Sequence, residues 1–193
     1  PCHAEEVAME HLSYLTVACQ NQPIAENMAS YLNGPYIRCK LSRDVIGVEY
    51  AAVLKNIYAV AAGIAHGLNY GDNFQAVLMS NAIREMDNFM SVVYPMEGRN
   101  IMDSAYLGDL LVTGYSYFSR NRMFGTMIGK GYTVKSAMLE MNMVAEGYYA
   151  TNGVMQLIRQ HDIRMPIVEA VYAVLYQGKD RRDEFKKLTA YLD

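Results

Sequence analysis

VIGVEYAAVLKNIYAVAAGIAHG, residues Val45–Gly67, decides the fold. The stretch is apolar almost without a break, too long for a strand and rich in alanine, so it reads as one helix buried on every side. Its alanines (Ala51, Ala52, Ala59, Ala61, Ala62, Ala65) are expected to let neighbouring elements approach closely. Two polar residues, Lys55 and Asn56, interrupt it. An unpaired ammonium in an apolar interior costs several kcal/mol. A lysine kept there either has a task or reaches the surface along its own aliphatic stem. Spacing alone leaves both readings open.

Working outward, 193 residues hold one domain, or one and part of another. Val45–Gly67 is long enough for a membrane span, but Glu49, Lys55 and Asn56 break it, so no membrane insertion and a soluble, cytoplasmic chain are expected. A net charge of −3 without a basic block weighs against a nucleic-acid partner. Cys2, Cys19 and Cys39 lie far apart without metal-ligand spacing, and read as reduced thiols rather than a disulfide frame. No signal-peptide pattern is visible, and a start at Pro1 without Met reads as part of a longer chain.

Residues 1–43 read as α/β. Pro1–Glu10 suits a short helix, Leu12–Cys19 a strand, Gln22–Gly34 a helix stopped by Asn33-Gly34, and Tyr36–Leu41 a second strand. Strand, helix, strand implies a parallel pair. Two strands are too few to stand alone, so this segment reads as the end of a larger sheet. Beyond it only helices are predicted: Asp44–Asn69, Asn73–Val93, Ser104–Thr113, Arg120–Ile128, Val134–Glu140, Val144–Gln160, Pro166–Tyr176 and Arg181–Tyr191. Thr133 and Asp72 read as N-caps and Pro166 as a first helical residue. The fourteen methionines read as core filler. The expected fold class is mainly α, an all-helical domain over 44–193 behind a βαβ remnant over 1–43.

Two further stretches could carry chemistry. In YLGDLLVT (Tyr106–Thr113) an aspartate, Asp109, sits inside an apolar run, where a cap or turn is the plain alternative. SRNRMFG (Ser119–Gly125) gathers hydroxyl, guanidinium and amide groups at a helix start, where the macrodipole attracts anions. Arginine's planar fork suits a phosphate. A capped helix with two solvated arginines would have the same sequence.

Together the motifs have a precedent. GVEYAAVLKNIYAVAAGIAHGLNYGDN, LGDLLVTGYSYFSRNRMFG, VAEGYYATNGV and MPIVEAVYAVLYQG follow one another as in NAD(P)-dependent sn-glycerol-3-phosphate dehydrogenases, the bacterial branch above all. The chain resembles that family over essentially its whole length, and Pro1–Ala8 is similar to the tail of an earlier family segment ending in Glu-Val-Ala. The resemblance implies a Rossmann domain, of which residues 1–43 are the end, and a helical substrate domain over 44–193. It implies interconversion of sn-glycerol 3-phosphate and dihydroxyacetone phosphate for glycerophospholipid synthesis, with NAD or NADP as cofactor and a homodimer as the assembly.

Position by position, the resemblance makes Lys55 the catalytic acid/base, with Asn56 beside it as a positioning group. Asp109 becomes a substrate contact that orients the lysine, and Ser119, Arg120 and Asn121 become substrate ligands. Ala4, Arg120, Val144 and Glu146 become nucleotide contacts. Cys2 stands where the family carries a substrate-binding Ser or Thr, and a thiol is a weak donor in that place. The glycine-rich pyrophosphate fingerprint is absent: Gly125, Gly129 and Gly131 are wrongly spaced and follow no strand. The selector between NAD and NADP therefore lies outside this sequence. No metal is implied. Two other readings fit the same helices: a β-hydroxyacid-type dehydrogenase, which has no use for Ser119–Asn121 on a phosphate, and a non-catalytic dimerisation module, which has no use for Lys55 and Asp109 together.

Overall fold

The computed structural model describes residues 1–141 and 144–193. Its elements run α1 (Ala4–Ala8), β1 (Ser13–Ala18), α2 (Gln22–Leu32), β2 (Ile37–Ser42), α3 (Val45–Gly67), α4 (Asp72–Val93), a π turn (Ser104–Gly108), α5 (Asp109–Tyr115), α6 (Arg120–Lys130), α7 (Val134–Glu140), α8 (Glu146–His161), α9 (Pro166–Tyr176) and α10 (Arg181–Leu188). The mainly helical class and the parallel strand pair are as the sequence predicts. β1 pairs with β2 from Ser13 opposite Ile37 to Ala18 opposite Ser42, with α2 as the crossover. This unit is thin, one helix packed on a two-stranded sheet: Tyr14, Ile24, Met28, Tyr31 and Leu41 remain exposed.

α3 is the axis of the core. Leu54, Ile57, Tyr58, Val60 and Ile64 are fully buried, and α4, α5, α6, α8 and α9 all pack on it. Among the described residues it is the one helix long and apolar enough to cross a membrane; other helices cover residues 57–65 fully, while Val45 and Ile46 in its first turn stay exposed, so the burial expected on every side holds only for its C-terminal half. The alanines are not what allows the closest approach. A Cβ at Gly63 would lie 2.1 Å from the Arg122 carbonyl oxygen, and one at Gly125 would lie 2.1 Å from that of Val60. Gly67 and Gly129 repeat the arrangement one turn on, each within 2.4 Å of a facing carbonyl oxygen. α3 and α6 therefore meet backbone to backbone along a glycine seam.

Several boundaries differ from the sequence reading. Gly71, not Asp72, caps α4, and Asp72 lies in the first turn, where its charge still suits the dipole. The helix expected over Ser104–Thr113 opens with the π turn and runs on to Tyr115. The one expected from Val144 begins at Glu146. Thr133 does cap α7, accepting from the Ser136 N–H at 3.1 Å. Met79, Met86, Met90 and Met165 fill the core, but Met9, Met28, Met102 and Met123 are exposed. The three cysteines are free.

A buried carboxyl joins α4 to α9. Glu85 Oε1 accepts from the Ile167 N–H at 2.7 Å and so serves the uncapped start of α9. Burial pushes the Glu85 carboxyl up to about 8, although the Ile167 and Val168 amides pull the other way, and nearby Glu169 adds to the rise. The folded state thus holds a proton that the unfolded chain releases near the ordinary carboxylate range. Stability is accordingly lost as pH rises from that range through about 8. The slope this one group can contribute is at most about 1.4 kcal/mol per pH unit. Glu85→Gln keeps the acceptor for Ile167 and removes the titration. Thermal unfolding of the two proteins across this range should show a flatter pH dependence for the variant. Parallel curves would refute the assignment.

Candidate active site

The site begins with the cap that starts α3. Asp44 Oδ1 accepts from the Gly47 N–H at 3.0 Å, and a Cβ at Gly47 would sit 2.0 Å from that carboxylate. Three turns further along α3, Lys55 emerges into a cleft of about 730 Å³, within the range of small-ligand sites. Its side chain is neither fully buried nor unpaired, contrary to what the apolar run suggests. It is 23% exposed, and its ammonium pairs with the Asp109 carboxylate. Snorkelling alone would carry it to open solvent. Instead it ends on a carboxylate held by another helix, and both residues line the cleft.

Asp109 is the first residue of α5, directly after the π turn. π turns are rare and concentrate at functional sites because they re-aim side chains within a helix. Ser119, which lines the same cleft, caps α6, its hydroxyl oxygen accepting from the Arg122 N–H at 3.2 Å. Arg120 opens α6 and lines the cleft beside Ser119 and Asn121. The glycine seam fixes this helix start relative to Lys55, because nothing compressible separates the two backbones. Asn121 is 8% exposed, and its Oδ1 accepts from the Gly147 N–H at 2.9 Å. That bond ties α6 to the start of α8, so part of this amide's capacity is structural.

Asn56 turns away from Lys55 and donates to Glu146 Oε2 at 3.2 Å. Glu146, Val144, Ala4 and Cys2 line the same cleft. All the residues singled out from sequence are therefore brought together. Thr113 was missed. It is 6% exposed and lies in the cleft one turn beyond Asp109, and its i+4 spacing from Asp109 was the available signal. Tyr117 and Phe118 at the rim carried no comparable pattern.

Residues 44–186 match the family described as the NAD-dependent glycerol-3-phosphate dehydrogenase C-terminus. The chain belongs to the glycerol-3-phosphate dehydrogenase family. It is 39% identical over 188 residues to the glycerol-3-phosphate dehydrogenase [NAD(P)+] of Ligilactobacillus salivarius, covering 97% of this chain and 55% of that protein. The chain thus spans about half the length of the curated relatives it matches. A crystal structure of glycerol-3-phosphate dehydrogenase from Coxiella burnetii superimposes with a TM-score of 0.94 at 33% identity, over 98% of this chain and 58% of that one. The Saccharomyces cerevisiae glycerol-3-phosphate dehydrogenase structure, at 24% identity and a TM-score of 0.85, covers 97% of this chain and 57% of that one, and speaks for the fold alone. Within the family fold, the cleft is lined both by the four positions that the resemblance gives to the nucleotide and by the lysine–carboxylate pair.

Proposed function

We propose that the chain is the substrate-binding and catalytic part of an NAD(P)-dependent glycerol-3-phosphate dehydrogenase. The observation that carries this reading is the Lys55–Asp109 pair lining one cleft together with the start of α6 and its Arg120. The nicotinamide, when bound, supplies the hydride chemistry at C2 of the substrate. The residues of this chain handle protons and position. Lys55 Nζ gives a proton to the C2 oxygen of dihydroxyacetone phosphate during reduction, and takes it from the C2 hydroxyl of glycerol 3-phosphate during oxidation. Asp109 fixes the direction of the ammonium. Arg120 and the amides at the start of α6 receive the phosphate, with Ser119, Asn121 and Cys2 as further substrate contacts. Ala4, Val144 and Glu146 form the wall toward the nucleotide.

The cleft is larger than a three-carbon phosphate requires, which fits a site shared with a nicotinamide. In this reading residues 1–43 belong to the nucleotide-binding domain and 44–193 form the substrate domain. A cytoplasmic homodimer feeding glycerophospholipid synthesis is what the family resemblance leads us to expect. The phosphate side of the cleft favours this reaction over that of a β-hydroxyacid dehydrogenase.

The deciding experiment follows oxidation of NADH and NADPH by the full-length protein with dihydroxyacetone phosphate. Turnover that requires the phosphate supports the reading, and the faster nucleotide names the cofactor. A folded protein inactive with both would overturn it. In the same assay Arg120→Ala should raise KM for the phosphate substrate about 10- to 100-fold, as expected when a partly screened charge contact is lost. Unchanged KM and kcat would remove Arg120 from the site.

A further inference from the structure

The polar cluster at the start of α3 is not used in the chemistry described above. Asp44 and Arg99 have side chains only 5% and 6% exposed, and Tyr106 is 4% exposed. Asp44 Oδ2 accepts from Arg99 Nε at 2.6 Å and from the Tyr106 hydroxyl at 2.6 Å. Its Oδ1 accepts from Arg99 Nη2 at 3.2 Å and from the Gly47 N–H at 3.0 Å. Arg99 Nη2 also donates to the Tyr94 carbonyl at 2.9 Å. Burial alone would raise the Asp44 carboxyl; the Arg99, Tyr106 and Gly47 donors outweigh it and hold the group below the ordinary carboxylate range. A buried carboxylate accepting four hydrogen bonds has little freedom to reorient.

Its geometry points at the cleft. Tyr106 lies within the π turn, and Asp109 is the first residue after that turn. Asp44 caps α3, and Lys55 lies eleven residues along the same helix, about 16 Å at the helical rise. Long helical side chains lean toward the N-terminus of their helix, so Lys55 reaches back along α3 toward the π turn. α3 and the turn are thus joined twice, once by Tyr106 on Asp44 and once by Asp109 on Lys55. The first joint fixes the height at which the second can form.

Resting on the dehydrogenase reading above, we propose that Tyr106, acting through the Asp44–Arg99 ion pair, is a positioning residue that sets the alignment of Asp109 with Lys55. Tyr106→Phe removes one hydroxyl and leaves the ring in the core. In the full-length protein kcat should fall about 10- to 100-fold, the range a small misplacement of a reacting group can cost. KM for dihydroxyacetone phosphate should stay within about twofold, because the phosphate contacts on α6 are untouched. The pH profile of kcat should also be displaced. Phe185→Leu, a core change on α10 remote from the cleft, serves as the control for stability.

If Tyr106→Phe keeps its kcat and pH profile while the parent enzyme turns over, the positioning role is wrong and the function stands. If Phe185→Leu, matched in Tm loss, lowers kcat equally, the cluster is only structural and the proposal falls. A parent enzyme that turns over no phosphorylated substrate overturns the function itself, and the proposal with it.

Discussion

Lys55→Met in the full-length protein is expected to lower kcat for dihydroxyacetone phosphate reduction at least about a thousandfold, toward the upper part of what a positioned general acid contributes. The methionine keeps the length and the apolar stem of the lysine, so packing along α3 should survive. Asp109 loses its partner but is 21% exposed on its side chain, so water replaces the ammonium and no buried charge is stranded. Circular dichroism and Tm should therefore match the parent closely. KM should change much less than kcat, because the proposed phosphate contacts belong to α6. A small primary amine added to Lys55→Ala should return part of the rate, since it can refill the space with a proton donor. Near-normal turnover in Lys55→Met would sink the assignment of the acid/base. Lost turnover accompanied by a lower Tm would mean that the pair supports the fold, and the chemistry would have to be sought elsewhere in the cleft.

Much of this site was legible in the sequence because its parts are local violations of pattern. A lysine and an asparagine inside an all-apolar helix, an aspartate inside an apolar run and a serine-capped basic turn each break the rule their neighbours follow. The predicted elements hold for the same reason, since long helical periodicities and the Asn33-Gly34 stop are strong local signals. Contacts made across the fold carried no local mark. Periodicity could say that Val45–Gly67 is buried but not that Lys55 would end on a carboxylate. The π turn at Ser104–Gly108 reads as ordinary helix in the sequence, and the bond its Tyr106 gives to Asp44 spans 62 residues of chain, beyond the reach of any local pattern. The alanines of α3 drew attention as the means of close approach, whereas the closest contacts belong to Gly63, Gly67, Gly125 and Gly129. Both helices carry glycines four residues apart, a spacing present in the sequence that gains its meaning only once the two helices are seen to face each other.

That seam gives the second large effect, and it comes with a built-in contrast. Gly125→Ala adds one methyl group 2.1 Å from the Val60 carbonyl oxygen and 3.0 Å from the Gly63 Cα. Both neighbours are backbone, so no side chain can swing aside, and the helices must part by roughly an ångström to restore ordinary contact. The gain in helix propensity is about 1 kcal/mol, and overpacking against backbone should exceed it, for a net loss of more than about 2 kcal/mol. Gly153 lies on the exposed face of α8 with nothing within 4 Å of the added Cβ. There the same substitution should stabilise by about 0.5–1 kcal/mol. One chemical change thus carries opposite signs at two helical glycines, and thermal unfolding of both variants reads the difference directly. Activity should separate them as well. α3 carries Lys55 and α6 starts with Arg120, so pushing the helices apart moves the proposed proton donor from the proposed phosphate contact, and Gly125→Ala should lose kcat even below its Tm. A Gly125→Ala protein as stable and active as the parent would show that α3 and α6 stand further apart than described, and the placement of Lys55 against Arg120 would have to be redrawn with them.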